Sequence, residues 1–292
     1  MPKVTKKTLN CRGRLVNLAD GPTPDTSIMG ILNLTPDSFY EHSRMKPEKV
    51  ADAAIQMIRE GARFIDIGGY STRPGAADIS PAEEADRVLP AIEAILTALP
   101  DALISVDTFR ASVARQAVEA GAVMVNDVAG GTLDPDMFAT VTQLGVPYVL
   151  MHMRGTPQTM QSYTAYQDLV PEVIDEIGQQ YARLQQLGHK DIILDPGFGF
   201  AKTPAQNFEL LEKLDAFRVF DAPVLVGLSR KSTIWRTLGI TAAEALNGTT
   251  VLNTIAVLKQ ADIIRVHDVR EAAEVILLKK NLKKIQTGYC VI

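Results

Sequence analysis

The 292-residue sequence predicts a (β/α)8 barrel, an α/β fold in which eight parallel strands close into a ring inside a ring of helices. Three observations carry this expectation. Eight short runs rich in β-branched residues recur along the chain. Each is apolar on both faces, as a strand buried between barrel interior and outer helices must be. Segments of helical period lie between them, and that alternation is the signature of a parallel sheet.

The runs begin at Ser27 (SIMGILNL), Phe64 (FIDIGG), Leu103 (LISVDT), Met124 (MVNDVA), Pro147 (PYVLMH), Asp191 (DIILDPG), Pro223 (PVLVGLS) and Asp262 (DIIRVH). After the first strand, EKVADAAIQMIREGA places Val50, Ala53, Ala54, Met57 and Ile58 on one helical face, with Gly61 positioned as a C-terminal cap. SPAEE opens the next helix: Ser80 is the N-cap, Pro81 the first helical residue and Glu83 the partner in a capping box. Pro90 inside that helix predicts a kink rather than a stop. RASVARQAVEAG closes on Gly121, and helical patterns also cover roughly 165–187, 204–215, 242–260 and 269–281. An open, doubly wound sheet is the alternative architecture. Residues 1–26 precede the first barrel strand as an N-terminal extension and are expected to cap the barrel bottom as a short hairpin. No Gly/Ser linker divides the chain, so residues 1–292 read as one domain.

Composition excludes several classes of partner. A formal net charge of -4 provides no basic field for a phosphate backbone, so no nucleic acid is expected. The two cysteines, Cys11 and Cys290, stand at opposite ends of the chain, which argues against a disulfide framework and a Cys-based metal site and fits a cytoplasmic location. No window has the length and apolarity of a membrane span, so no membrane is expected, and the lysine-rich LKKNLKK at 278–284 reads as a solvated helix end.

Nearly every polar residue in the apolar strands lies at or just past its C-terminal end. These are Asn33; Ser71, Thr72 and Arg73; Asp107; Asn126 and Asp127; Asp195; Ser229, Arg230, Lys231 and Ser232; Arg265 and His267. One such residue could merely cap a helix, but seven strands doing so together define one mouth, where this architecture keeps its active sites. Arg73, Arg265 and His267, helped by Asn33, Thr72 and helix N-termini, suit an anion. Asp107, Asn126, Asp195 and Lys231 suit a planar heterocycle with amidine-like donors and a carbonyl acceptor. Between them, in DPGFGFAKT, Gly197 and Gly199 permit close backbone approach and Phe198 or Phe200 offers an aromatic wall.

NLTPDSF, GGYSTRPG, SVDTF, VNDVAGG, DPGFGFAKT, LSRKS and RVHDV, in this order and spacing, closely resemble dihydropteroate synthase over residues 27 to 285. The resemblance implies an enzyme that joins para-aminobenzoate to 6-hydroxymethyl-7,8-dihydropterin pyrophosphate. It implies that Asp107, Asn126, Asp195 and Lys231 hold the pterin, with Gly227 and Phe200 lining its slot. Asn33, Thr72, Arg73, Arg265 and His267 would hold the pyrophosphate, Asn33 as the protein ligand of Mg²⁺. Ser232, Arg73, Pro74, Phe39 and Phe200 would meet para-aminobenzoate. Arg73, Lys231, Arg265 and His267 would be the catalytic set, and a homodimer is implied.

Two departures stand out: YEHSRM puts Glu41, His42 and Ser43 where an acidic residue and glycines are expected, which predicts a stiffer first loop, and Tyr70 replaces a usual glutamate. His152 reads as a satisfied histidine in the wall of the mouth rather than a base, and Trp235 as helix packing. Asp66 remains open between a buried structural carboxylate and a catalytic one. Two other functions are the alternatives: a pterin-binding barrel that passes a methyl group from a reduced folate to a corrinoid protein, which has no use for the anion set, and a non-catalytic pterin-binding homologue, which should have lost some of these residues.

Overall fold

A computed structural model of the chain describes residues 7–20, 25–34, 40–41, 44–71 and 78–286. The first described elements, β1 (Thr8–Cys11) and β2 (Arg14–Asn17), form an antiparallel hairpin. The barrel strands follow: β3 (Ser27–Asn33), β6 (Phe64–Gly68), β7 (Leu103–Asp107), β8 (Met124–Asp127), β9 (Tyr148–Met151), β10 (Ile192–Asp195), β11 (Leu225–Val226) and β12 (Ile263–Val266). They make one eight-stranded sheet in the order β10-β9-β8-β7-β6-β3-β12-β11, parallel at every pairing. A parallel bridge between Leu194 and Val224 joins the two ends and closes the ring. A second, minimal hairpin, β4 (Tyr40–Glu41) with β5 (Arg44–Met45), lies in the connection after β3. Glu41 is in it, while His42 and Ser43 lie outside the described residues.

The helices are α1 (Pro47–Glu60), α2 (Pro81–Ala98), α3 (Ala111–Ala120), α4 (Met137–Leu144), α5 (Leu169–Gln186), α6 (Pro204–Glu212), α7 (Ser232–Leu238), α8 (Leu246–Leu258) and α9 (Val269–Gln286). Ser80 and Glu83 form the expected capping box on α2, which continues through Pro90 to Ala98. Gly61 ends α1 in the left-handed region at φ 112°, the conformation that makes glycine the residue of choice there. Helix α4 was not foreseen, because its eight residues, MFATVTQL, span little more than two turns and mix threonines and valine among the apolar positions. No helix among the described residues is long and apolar enough to cross a membrane.

Strand alternation divides the core in two. Ile65 and Ile67 face the helices, whereas Phe64 joins Met29, Leu103, Met124, Val149, Ile193, Leu225 and Ile263 inside the barrel. The hairpin residues Leu9, Cys11, Val16 and Leu18 belong to this inner cluster, so the hairpin plugs the barrel's N-terminal end. It is tied there by Arg14 Nη1 donating to the carbonyl of Asp101 (3.0 Å), just before β7, and by Ser27 Oγ donating to the carbonyl of Leu18 (3.2 Å). With its bottom filled, the barrel interior is left to open toward the C-terminal ends of the strands.

Candidate functional site

Because Phe64 points inward, the period of two puts Asp66 and Gly68 on the same inner face of β6. By the same parity Asp107 follows Leu103, Asn126 follows Met124, Asp195 follows Ile193 and Arg265 follows Ile263. Five strands therefore deliver three carboxylates, an amide and a guanidinium into one interior above the apolar plug.

Arg265 is the hub. Its Nε donates to Asp66 Oδ2 at 2.6 Å and its Nη2 to Asp107 Oδ2 at 2.7 Å. Asn126 Nδ2 donates to the same Asp66 oxygen at 2.8 Å. Asp66 is fully buried and bonded across the barrel interior to β8 and β12, each two places from β6 in the sheet, as a buried structural carboxylate. Burial would lower the Arg265 pKa, but the charges of Asp66 and Asp107 outweigh it and hold the guanidinium protonated. Burial raises Asp107 against the pull of Arg265, with Asp66, Glu84 and Asp127 adding repulsion. Burial likewise raises Asp195, opposed by Lys231 and by a hydrogen bond of 2.8 Å from the Gly197 amide. Three carboxylates facing two cations leave the interior short of donors, which favours a ligand rich in N–H groups.

Lys231 is not a solvated helix end. It is the N-cap residue of α7, and its Nζ donates to the Phe198 carbonyl at 2.6 Å and lies 4.7 Å from the centroid of the Phe200 ring. Burial lowers its pKa to about 8, resisted by Asp195. Phe200 is half-buried, so its ring is available to the mouth, whereas Phe198 is fully buried in the outer core; of the two candidate walls only Phe200 remains. Gly227 borders the same space: a Cβ there would stand 3.6 Å from Lys231 Nζ and 3.9 Å from Arg265 Cβ. Ser232 is the first residue of α7 and half-buried.

At the rim, His267 is exposed and its ring is set by Ser229, whose Oγ lies 3.0 Å from Nδ1 and accepts from the His267 backbone N–H at 3.1 Å. Asn33 ends β3. A Cβ on Gly68 would stand 3.7 Å from both Asn33 Oδ1 and Asp107 Oδ2, so the glycine keeps open a small oxygen-lined space beside them. Among the described residues no three His, Cys, Asp or Glu side chains gather as a metal cage. A lone amide oxygen suits a hard cation that takes its remaining ligands from water and substrate phosphates, which is the usual habit of Mg²⁺. Thr72, Arg73, Pro74 and Phe39 lie outside the described residues.

Two sets of residues turn out differently from the sequence reading. Asp127 points out toward the helices, where it accepts from Tyr148 OH (2.6 Å) and the backbone amides of Ala129 and Gly131 (both 2.8 Å). Arg230 pairs with Asp268 at 2.8 Å and with the carbonyls of Ala242 and Ala243, bracing the loop into α7. The buried partners of His152 were not assigned. Lys202 Nζ lies 2.9 Å from His152 Nδ1 and donates to the carbonyls of Gly197 and Phe200, both at 3.1 Å. His152 Nε2 meets Glu176 Oε2 at 2.9 Å, and Arg154 also holds Glu176. With both nitrogens engaged, His152 is a satisfied wall residue. The one sequence hint was a lysine inside an apolar, glycine-rich loop.

A family model described as pterin binding enzyme matches residues 29–267. The dihydropteroate synthase of Synechocystis sp. is 46% identical over 254 residues, covering 86% of this chain and 88% of that one. A crystal structure of Yersinia pestis dihydropteroate synthase in a sulfonamide drug complex superposes with a TM-score of 0.86 at 36% identity, covering 95% of this chain and 99% of that one. That of the Xanthomonas albilineans dihydropteroate synthase with 4-aminobenzoic acid gives 0.86 at 35% identity, covering 96% and 99%.

Proposed function

The chain belongs to the pterin-binding enzyme family, among the dihydropteroate synthases, and from that premise we propose how its barrel mouth divides the work. The reaction is a transfer in folate biosynthesis. The amine nitrogen of para-aminobenzoate forms a bond to the methylene carbon of 6-hydroxymethyl-7,8-dihydropterin pyrophosphate. The C–O bond to pyrophosphate breaks, pyrophosphate leaves with the electron pair, and one amine proton is released.

Asp107, Asp195 and the Asn126 amide oxygen accept from the N–H groups of the pterin, and Lys231 donates to its carbonyl, with Gly227 giving the ring room. Arg265 and His267, joined through their motifs by Thr72 and Arg73, receive the pyrophosphate. The aryl amine is neutral at pH 7 and needs no strong base, so the main task is to stabilise charge on the departing oxygens. Arg265 performs it with a guanidinium already immobilised on two carboxylates, which avoids reorganisation at the moment of bond breaking. Asp107 and Asp195 favour the positive charge that the electron-rich ring spreads from its methylene. Phe200, Ser232, Phe39, Arg73 and Pro74 frame the amine's approach. Asn33 would hold Mg²⁺, which would supply further neutralisation of the leaving group. The enzyme acts in the cytoplasm as a homodimer.

The observation that carries this reading is the convergence on Arg265: a ring-binding set and an anion-binding cation built into one hydrogen-bonded unit. The test is pyrophosphate release from dihydropterin pyrophosphate with Mg²⁺, with and without para-aminobenzoate. Release that depends on the amine, and that falls by about 10²- to 10³-fold in Arg265→Ala, is expected, a loss typical of removing one charge-stabilising donor. Tight pterin binding without release would instead identify a barrel that keeps its ring pocket and lacks the chemistry.

A further inference from the structure

We propose that Asp66 is a positioning residue, a carboxylate sealed from substrate that orients the Asn126 amide for the pterin and the Arg265 guanidinium for the leaving anion. This deepens the ring-and-anion reading of the mouth and rests on it.

Asp66 has no solvent contact and sits two residues before the end of β6, beneath Gly68. A ligand entering from the mouth does not reach it. One of its oxygens, Oδ2, accepts twice, from Asn126 Nδ2 at 2.8 Å and from Arg265 Nε at 2.6 Å. The other, Oδ1, is buried with no hydrogen-bond partner among the described residues. A buried carboxylate with an unsatisfied oxygen is costly for the fold, and a hydrophobic residue of similar volume would ordinarily serve the core better. Its neighbour across the ladder, Ser105, paired in register with Asp66, also buries an unsatisfied hydroxyl oxygen.

What Asp66 does accomplish is directional. An amide can flip by 180° at little intrinsic cost, and only its partners decide which end faces a ligand. With Nδ2 committed to a carboxylate, a flip would set the Asn126 oxygen against negative charge, so Oδ1 is held on the side away from Asp66 as an acceptor for a ring N–H. The same oxygen anchors Arg265 through Nε while Asp107 takes Nη2, fixing the guanidinium plane from two sides. Among the described residues Nη1 is left to carry the donors offered to an anion. Asp66 also supplies a counter-charge, which moderates how strongly Arg265 holds pyrophosphate before and after its release.

The two functions separate in the test. Isothermal titration would compare wild type, Asp66→Ala, Asp66→Asn and Ser105→Ala, each checked for cooperative melting, with two probes: 6-hydroxymethylpterin, and inorganic pyrophosphate with Mg²⁺. Asp66→Ala is expected to lose about tenfold or more in pterin affinity, the scale of a hydrogen bond to a charged group, while pyrophosphate affinity changes by less, because the lost orientation of Arg265 is offset by the lost counter-charge and Asp107 still holds Nη2. In Asp66→Asn the amide oxygen can take the place of Oδ2, with Nδ2 where the partnerless Oδ1 stands. It should therefore keep pterin affinity within about threefold and, with the counter-charge gone, bind pyrophosphate several-fold tighter. Ser105→Ala should change neither. Equal loss of both probes in a folded Asp66→Ala, or wild-type affinities throughout, would overturn the assignment. Should Asp66→Ala not fold, unchanged pyrophosphate affinity in Asp66→Asn would overturn it as well. Wild-type protein that binds neither probe would remove the underlying reading and this one with it.

Discussion

Gly197 has a φ of 74°, and a Cβ added to it would stand 1.9 Å from the His152 carbonyl oxygen. Both the backbone conformation and the close approach exclude a side chain. Gly197→Ala is therefore expected to destabilise the protein by about 3 kcal/mol or more, read as a lower denaturation midpoint in urea, and a loss under about 1 kcal/mol would contradict the geometry. His152 carries a second residue-level prediction. Burial, reinforced by the Lys202 charge at Nδ1, lowers its pKa from 6.5 to about 4. Between those values the unfolded chain binds a proton that the folded one refuses, so the stability contribution is complete above pH 6.5 and is lost as pH falls toward 4. The loss approaches about 3 kcal/mol, and His152→Gln should flatten that part of the stability–pH curve; an unchanged slope would mean that other groups cause it. Asp107, Asn126, Asp195 and Arg265 were legible in the sequence because a polar residue in a strand apolar on both faces needs a partner, and Lys231 because a cation at a helix N-terminus opposes the helix dipole. Which partner was not legible: Asp66 and Arg265 are 199 residues apart, and Lys202 and His152 are 50 apart. Periodicity also could not decide between Phe198 and Phe200, since a glycine-rich turn breaks the alternation that would have assigned their faces.

The loop from β10 to α6 is held as one element. Lys202 reaches back to the carbonyls of Gly197 and Phe200, the Gly199 amide donates to Asn207 Oδ1 at 2.7 Å, and Thr203 with Gln206 closes a capping box on α6. Burial lowers the Lys202 pKa to about 7, yet its three neighbours, two carbonyls and the His152 Nδ1, all accept, and only the ammonium can serve all three. Lys202→Met should release the loop: the Phe200 amide, which donates to the Gly197 carbonyl, is expected to exchange with solvent about tenfold faster or more. Unaltered exchange there would show that Asn207 and the capping box hold the loop without the lysine. Helices were legible where caps and a long apolar stripe coincide, as in α1 and α2. The predicted 165–187 and 242–260 helices begin later, at Leu169 and Leu246, because apolar spacing runs on into turns that the backbone does not continue. Helix α4 was missed for the opposite reason, being too short to build a period.

At the scale of the whole molecule, eight strand repeats and the polar C-terminal ends made both the ring and its working face legible, and the hairpin plug completes the division into a sealed bottom and an open mouth. The outer surface was not legible in this way, since a leucine on an amphipathic helix has the same spacing whether it meets its own core or a second molecule. The structure separates the two. Val251 and Leu258 on α8 are 51% and 57% exposed, and Leu277, Leu278 and Leu282 on the adjacent α9 are 45%, 68% and 61% exposed. Five exposed large apolar side chains on two helices that pack together are more than the single scattered ones of an ordinary surface, and such a concentration is what marks an interaction surface. A two-fold pairing of this patch with itself satisfies both copies at once and leaves both mouths, at the C-terminal ends of the strands, open to substrate. Leu278→Glu combined with Leu282→Glu would place four like charges across such an interface while touching neither the buried core nor the mouth. Sedimentation velocity at micromolar concentration should then show a dimer for the wild type and a monomer for the double variant, with the melting temperature of the barrel lowered by the lost association. A wild-type monomer, or a variant that still dimerises, would assign the patch to something other than a second copy of the chain.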